Sequence, residues 1–98
     1  MKCEYRPKAL RKIWTFYRNV AKKYKHVYDY GDMQNNIRKV ILNGYNIEHS
    51  LPRRRPVVER WQKEGWHMAK ADKWFYAYTI ANDTIFIEDA CHEQNMHA

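Results

Sequence analysis

Between Pro7 and Tyr24 the apolar positions Leu10, Ile13, Trp14, Tyr17, Val20, Ala21 and Tyr24 recur at intervals of three and four, with Arg11, Lys12, Arg18, Lys22 and Lys23 mostly on the other side. That spacing predicts an amphipathic helix with a basic outer face. Pro7 fits a helical first turn and disfavours helix at the residue before it, so Cys3 to Arg6 read as a short extended segment. A second helix should begin at Asp29 or Asp32 and carry Met33, Ile37, Val40 and Ile41 inward, with Gly44 as its end. Pro52 and Pro56 bound a basic loop, Arg53-Arg54-Arg55, after which the period changes. Residues 66–70, 73–80 and 84–91 are aromatic and β-branched, and Asn82-Asp83 sits between the last two as a two-residue hairpin turn.

The predicted order is therefore β-α-α-β-β-β, an α+β domain in which a small antiparallel sheet packs against two N-terminal helices. With Asn82-Asp83 as the turn, one hairpin face holds Trp74, Tyr76, Tyr78, Ile80, Ile85, Ile87, Asp89 and Cys91. The other holds Phe75, Ala77, Thr79, Thr84, Phe86, Glu88, Ala90 and His92. The first set is bulkier and should lie under the helices. If Trp66 and Met68 also face that core, His67 and Ala69 join Glu88 and His92 on the open side. A one-residue slip of register would exchange the faces.

A chain of 98 residues makes one domain with one core, and the aromatic content of 15% argues against disorder. Its formal charge of +7 creates a positive field suited to RNA, DNA or an acidic protein. Met1-Lys2-Cys3-Glu4-Tyr5 has no apolar h-region and nowhere do about 18 apolar residues run together, which predicts a cytoplasmic protein. In such a compartment Cys3 and Cys91 are expected as thiols rather than a disulfide. The polar stretch from Asp89 to His97 invites a metal reading, but adjacent Cys91 and His92 point to opposite faces of a strand. No metal or other cofactor is expected.

The element order and two runs, Lys73-Trp74-Phe75-Tyr76-Ala77-Tyr78-Thr79-Ile80 and Asp83 to His92, resemble the RelE/ParE superfamily of bacterial toxins. The likeness is most specific over residues 51–97 and only architectural before that. It implies the toxin of a toxin–antitoxin pair. RelE-like members cut messenger RNA in the ribosomal A site without metal, on the sheet face away from the helices, whereas ParE-like members poison DNA gyrase. The resemblance implies a catalytic role for His92, at the end of the last strand, and a site position for His67. It also departs: Phe75 stands where many members have an arginine, and Gln94-Asn95 where arginines commonly follow the histidine.

Metal-free RNA cleavage needs a base for the 2′-hydroxyl, positive charge on the developing phosphorane and an acid for the leaving oxygen. His92 is the first candidate acid or base, His67 its counterpart, and His97 a third if the tail folds back. Arg53, Arg54, Arg55, Lys70 and Lys73 are the candidate phosphate binders, and Phe75 and Phe86 the candidate stacking surfaces. Against these stand plainer readings: a solvated strand end for His92, a solvated basic loop for the arginines, and core packing for the other aromatics. Expected partners are a cognate antitoxin and ribosome-bound mRNA, with no membrane. The alternatives are a ParE-like toxin without chemistry and a basic RNA-binding domain.

Overall fold

Pro7 occupies the first turn of the first helix, α1 (Pro7–Lys23), and Arg6 before it is extended, as proline requires. The computed structural model describes residues 2–47, 56 and 58–95. The short segment ahead of α1 is strand β1 (Lys2–Tyr5). Helix α2 (Tyr30–Tyr45) opens with a reciprocal cap: the Asp32 amide donates to the Asp29 carboxylate at 2.8 Å and the Asp29 amide to the Asp32 carboxylate at 3.1 Å. Gly44, expected to end this helix, lies inside it. A Cβ there would collide with the Tyr5 hydroxyl, which needs the space to donate to the Ile41 carbonyl at 2.9 Å.

A third helix, α3 (Glu59–Lys63), is an addition to the expected order. Strands β2 (His67–Ala71), β3 (Trp74–Ala81) and β4 (Thr84–His92) follow, and a 3₁₀ turn at Glu93–Asn95 ends the described chain. The sheet order is β1-β4-β3-β2, with β2, β3 and β4 antiparallel. β1 runs parallel to β4, so the expected antiparallel sheet is in fact mixed. The α+β architecture is as the sequence pattern predicts.

Helices α1 and α2 cover one face. Ala9, Ile13, Met33, Ile37 and Val40 pack there on Tyr76, Tyr78, Ile85 and Ile87, a core whose buried isoleucine, valine and methionine side chains each contribute about 1.5–3 kcal/mol. The Tyr76 hydroxyl donates to the Val40 carbonyl at 2.7 Å, so this aromatic ties sheet to helix as well as filling space. A smaller cluster occupies the other face, where Trp61 of α3 is buried on Met68 and Ala77, with Phe75 and Cys91 packed at its edge. Cys3 and Cys91 are half-buried and not joined to each other.

Candidate nucleic-acid interface

The Asn82-Asp83 turn is where the pattern placed it, with both residues at positive φ (52° and 60°), and Ala81 pairs with Thr84. The expected alternation then holds as far as Tyr78 opposite Ile87. The next pair is Ala77 opposite Asp89, which leaves Glu88 as an extra residue on β4. This β-bulge reverses the faces of everything after it. Asp89 and Cys91 leave the helical side, and Ala90 and His92 enter it. The second expected reversal is in β2: His67 pairs with Tyr78 and Ala69 with Tyr76, so both lie on the helical face, while Met68 joins Ala77 beneath α3.

His92 is consequently not an open-face residue. It is 7% exposed, stacked on Phe16 of α1 at 4.2 Å between centroids and edge-on to Trp74 at 5.4 Å. Its Nδ1 accepts the Gln94 amide at 3.1 Å, which fixes the neutral ring with its proton on Nε2. Burial holds its pKa below the ordinary histidine value, and Lys73 pushes the same way against Glu93 and Asp72. His67 is half-buried against Tyr78. His92 lies opposite Trp74 and His67 opposite Tyr78, so the two are about 13 Å apart along the strand direction alone. They do not share a site.

The bulge creates a different centre. Asp89 is fully buried, yet its carboxylate meets Lys12 Nζ at 2.9 Å, Lys8 Nζ at 3.8 Å and an Arg60 guanidinium nitrogen at 2.6 Å. The Trp61 indole N–H donates to it at 2.8 Å and the Ala90 amide at 2.8 Å. Burial by itself raises its pKa. The Trp61 and Lys12 hydrogen bonds, the Lys12 charge and the Ala90 amide outweigh that and hold the carboxyl below the usual range. One carboxylate thus pins α1, α3 and β4 together, and three cations around one anion leave a surplus of two positive charges.

That surplus lines a groove. β1 pairs only with Thr84 to Ile87, so the later half of β4 meets α1 across an open cleft of about 590 Å³. Lys8, Arg11, Lys12, Thr15, Phe16, Asn19, Cys91, His92 and Asn95 form its walls. A cleft of about 520 Å³ continues past His92 to Lys23 and Lys73, and one of about 290 Å³ continues past Cys91 to Arg60 and Trp61. Asn95 borders all three. The result is a trough with cations along its length, amide, hydroxyl and imidazole groups in its wall and one carboxylate, Glu93, at the Lys73 end, a balance that suits a phosphodiester chain.

Of the residues proposed from sequence, His92 and Lys73 meet in this trough. Lys70 stands apart over the Phe75 ring at 5.2 Å with Glu93 at 3.5 Å. Phe75 and Phe86 do lie on the second face, but neither is an open stacking platform: Phe75 packs under α3 and Phe86 lies beneath the Arg6 guanidinium at 4.3 Å. Arg53, Arg54, Arg55 and His97 lie outside the described residues. Sequence reasoning missed Lys8, Arg11, Lys12, Arg60 and Asp89. α3 had a signal, since Pro56 and Gly65 bracket the helix-forming run Glu59 to Lys63.

Among the described residues no three His, Cys, Asp or Glu side chains are grouped to hold a metal ion, and no helix is long and apolar enough to cross a membrane. Comparison with protein-family models, with curated proteins and with solved structures finds no match.

Proposed function

We propose that this chain is the toxin of a toxin–antitoxin pair, as its resemblance to the RelE/ParE superfamily implies, and that its target is messenger RNA on the ribosome. The observation that carries the RNA reading is the trough between α1 and the end of β4, with Lys8, Arg11 and Lys12 on one wall and His92 on the other. Phosphates would seat against the cations. His92 has a different part from the one first expected of it: with Nδ1 occupied by the Gln94 amide, Nε2–H is a hydrogen-bond donor for a phosphoryl oxygen, and His67 is not its partner.

Binding without chemistry is the second reading, either as a ParE-like poison of gyrase or as a basic RNA-binding domain. It is favoured by one observation, that no second histidine borders the trough among the described residues.

The test is expression in bacteria with mapping of messenger RNA ends, for the natural chain and for His92→Gln. Growth arrest with cuts at codon positions on translating ribosomes is expected. Glutamine keeps a donor near the Nε2 position, so partial activity supports the donor role, whereas complete loss with an intact fold returns His92 to proton transfer. Gyrase-linked DNA breaks without RNA cuts would replace this proposal with the gyrase reading. RNA affinity with no growth arrest would replace it with the binding domain.

A further inference from the structure

The arm of the trough beyond His92 holds two side chains that a phosphate chain alone does not call for. The first is Tyr24, the residue that caps the C-terminal end of α1. It is 48% exposed, and of the large exposed hydrophobic side chains among the described residues it is the one that borders the trough. Its backbone is fixed, because its carbonyl accepts the Val27 amide at 3.0 Å and the Tyr28 amide at 2.9 Å. The Lys23 ammonium stands over one face of the ring at 5.4 Å, so a cation and an aromatic surface lie side by side. The second is Glu93, the one acid among the described residues that line the trough. Its amide donates to the Lys73 carbonyl at 2.8 Å, and its exposed carboxylate meets Lys70 at 3.5 Å, longer than a good hydrogen bond. A carboxylate repels phosphate, so its place in a cationic trough asks for a different ligand group.

We propose that this arm is a base pocket and that the base it takes is guanine. Its volume of about 520 Å³ admits a nucleotide. A base of single-stranded RNA stacks on Tyr24 while the phosphates beside it meet Lys23 and Lys73, which line the same arm. Glu93 then selects the base. An ionised carboxylate only accepts hydrogen bonds, through two oxygens side by side. Guanine presents two donors side by side on its Watson–Crick edge, N1–H and the N2 amino group, and matches that pair. Adenine and cytosine each offer one amino group beside an acceptor ring nitrogen, and uracil one N3–H between two carbonyls, so all three set a lone pair against the carboxylate. The proposal rests on the RNA reading and adds to it which base the site holds. It needs no cleavage step, so it stands equally for an RNA-binding domain without chemistry.

The probe is a short fluorescent oligouridine carrying one central guanosine, adenosine or inosine, titrated by anisotropy into the full chain. The guanosine oligomer should bind about tenfold more tightly than the adenosine one, and inosine, which lacks the N2 amino group, should lose most of that lead. Glu93→Gln removes a repulsive charge together with an acceptor. It should tighten every oligomer slightly while erasing the preference for guanosine, whereas a carboxylate acting only through its charge would leave the ratio unchanged. Tyr24→Ala should weaken the guanosine oligomer by about tenfold, and Tyr24→Phe should restore it. Both positions are exposed, and far-ultraviolet circular dichroism checks that each variant is folded. Equal binding of guanosine and adenosine, a ratio that survives Glu93→Gln, or full affinity in Tyr24→Ala would each overturn the base pocket. None of these touches the RNA reading, which the salt-dependent affinity of plain oligouridine tests separately. Failure of every oligomer to bind would end both.

Discussion

Asp89 shows how one side chain can set the geometry of a surface it does not reach. Its burial is tolerable only because Lys12, Arg60 and the Trp61 indole meet it. Asp89→Asn should therefore cost about 2–4 kcal/mol, measured as the shift in urea unfolding at neutral pH, since the lysines and arginine are half-exposed and partly rescued by water. The carboxyl is held below its ordinary value, so this stabilisation is full above about pH 3.9 and fades as the pH falls through the folded value. The gap between natural and variant chains should close in acid. His92 has the same sign for a different reason. Its lowered pKa means that the unfolded chain takes up a proton first, so stability is lost as the pH drops below about 6.5 towards the folded value. His92→Phe keeps a ring against Phe16 and removes the proton, and should flatten the stability-against-pH slope in that window.

At the scale of elements, most of the fold was legible. Pro7, the Asp29 and Asp32 cap, and the helical periodicity placed α1 and α2, and Asn82-Asp83 placed the hairpin. The faces of its last residues were not legible, because Glu88 looks like any other strand residue and alternation carries no mark of an insertion. The structure supplies its local reasons: Glu88 accepts from the Thr79 hydroxyl at 2.7 Å and from Arg6 at 3.3 Å on the second face, next to Asp89. A single extra residue thus moved His92 under α1 and Asp89 out from under it. β2 was misjudged for a simpler reason: both of its faces are covered, so its pattern could not say which cover was which. The turn itself leads to a prediction. Asp83 sits at positive φ without glycine's freedom, and Asn-Gly is the preferred pair for such a turn. Asp83→Gly should stabilise the chain by about 0.5–1 kcal/mol, visible as a raised melting temperature.

For the whole molecule, the formal charge of +7 was plain from composition, but not where it acts. The sequence drew attention to the clustered arginines at 53–55, whereas the described cations that share a wall come from positions spread along α1 and joined by α3. Lys8 and Arg11 lie one helical turn apart on the same side of that wall. If they seat phosphates, each should release counterions when single-stranded RNA binds. The slope of log affinity against log salt should then become shallower by about 0.7 for each one neutralised, or about 1.4 for Lys8→Gln with Arg11→Gln. Lys39→Gln removes the same kind of charge from α2, where Lys39 is well exposed and only 3.9 Å from Asp72, outside the trough. A diffuse field would make the three substitutions equivalent per charge. A trough makes Lys8 and Arg11 count and leaves the Lys39 variant with nearly the natural slope, a difference that nitrocellulose-filter or anisotropy titrations over a range of salt can resolve.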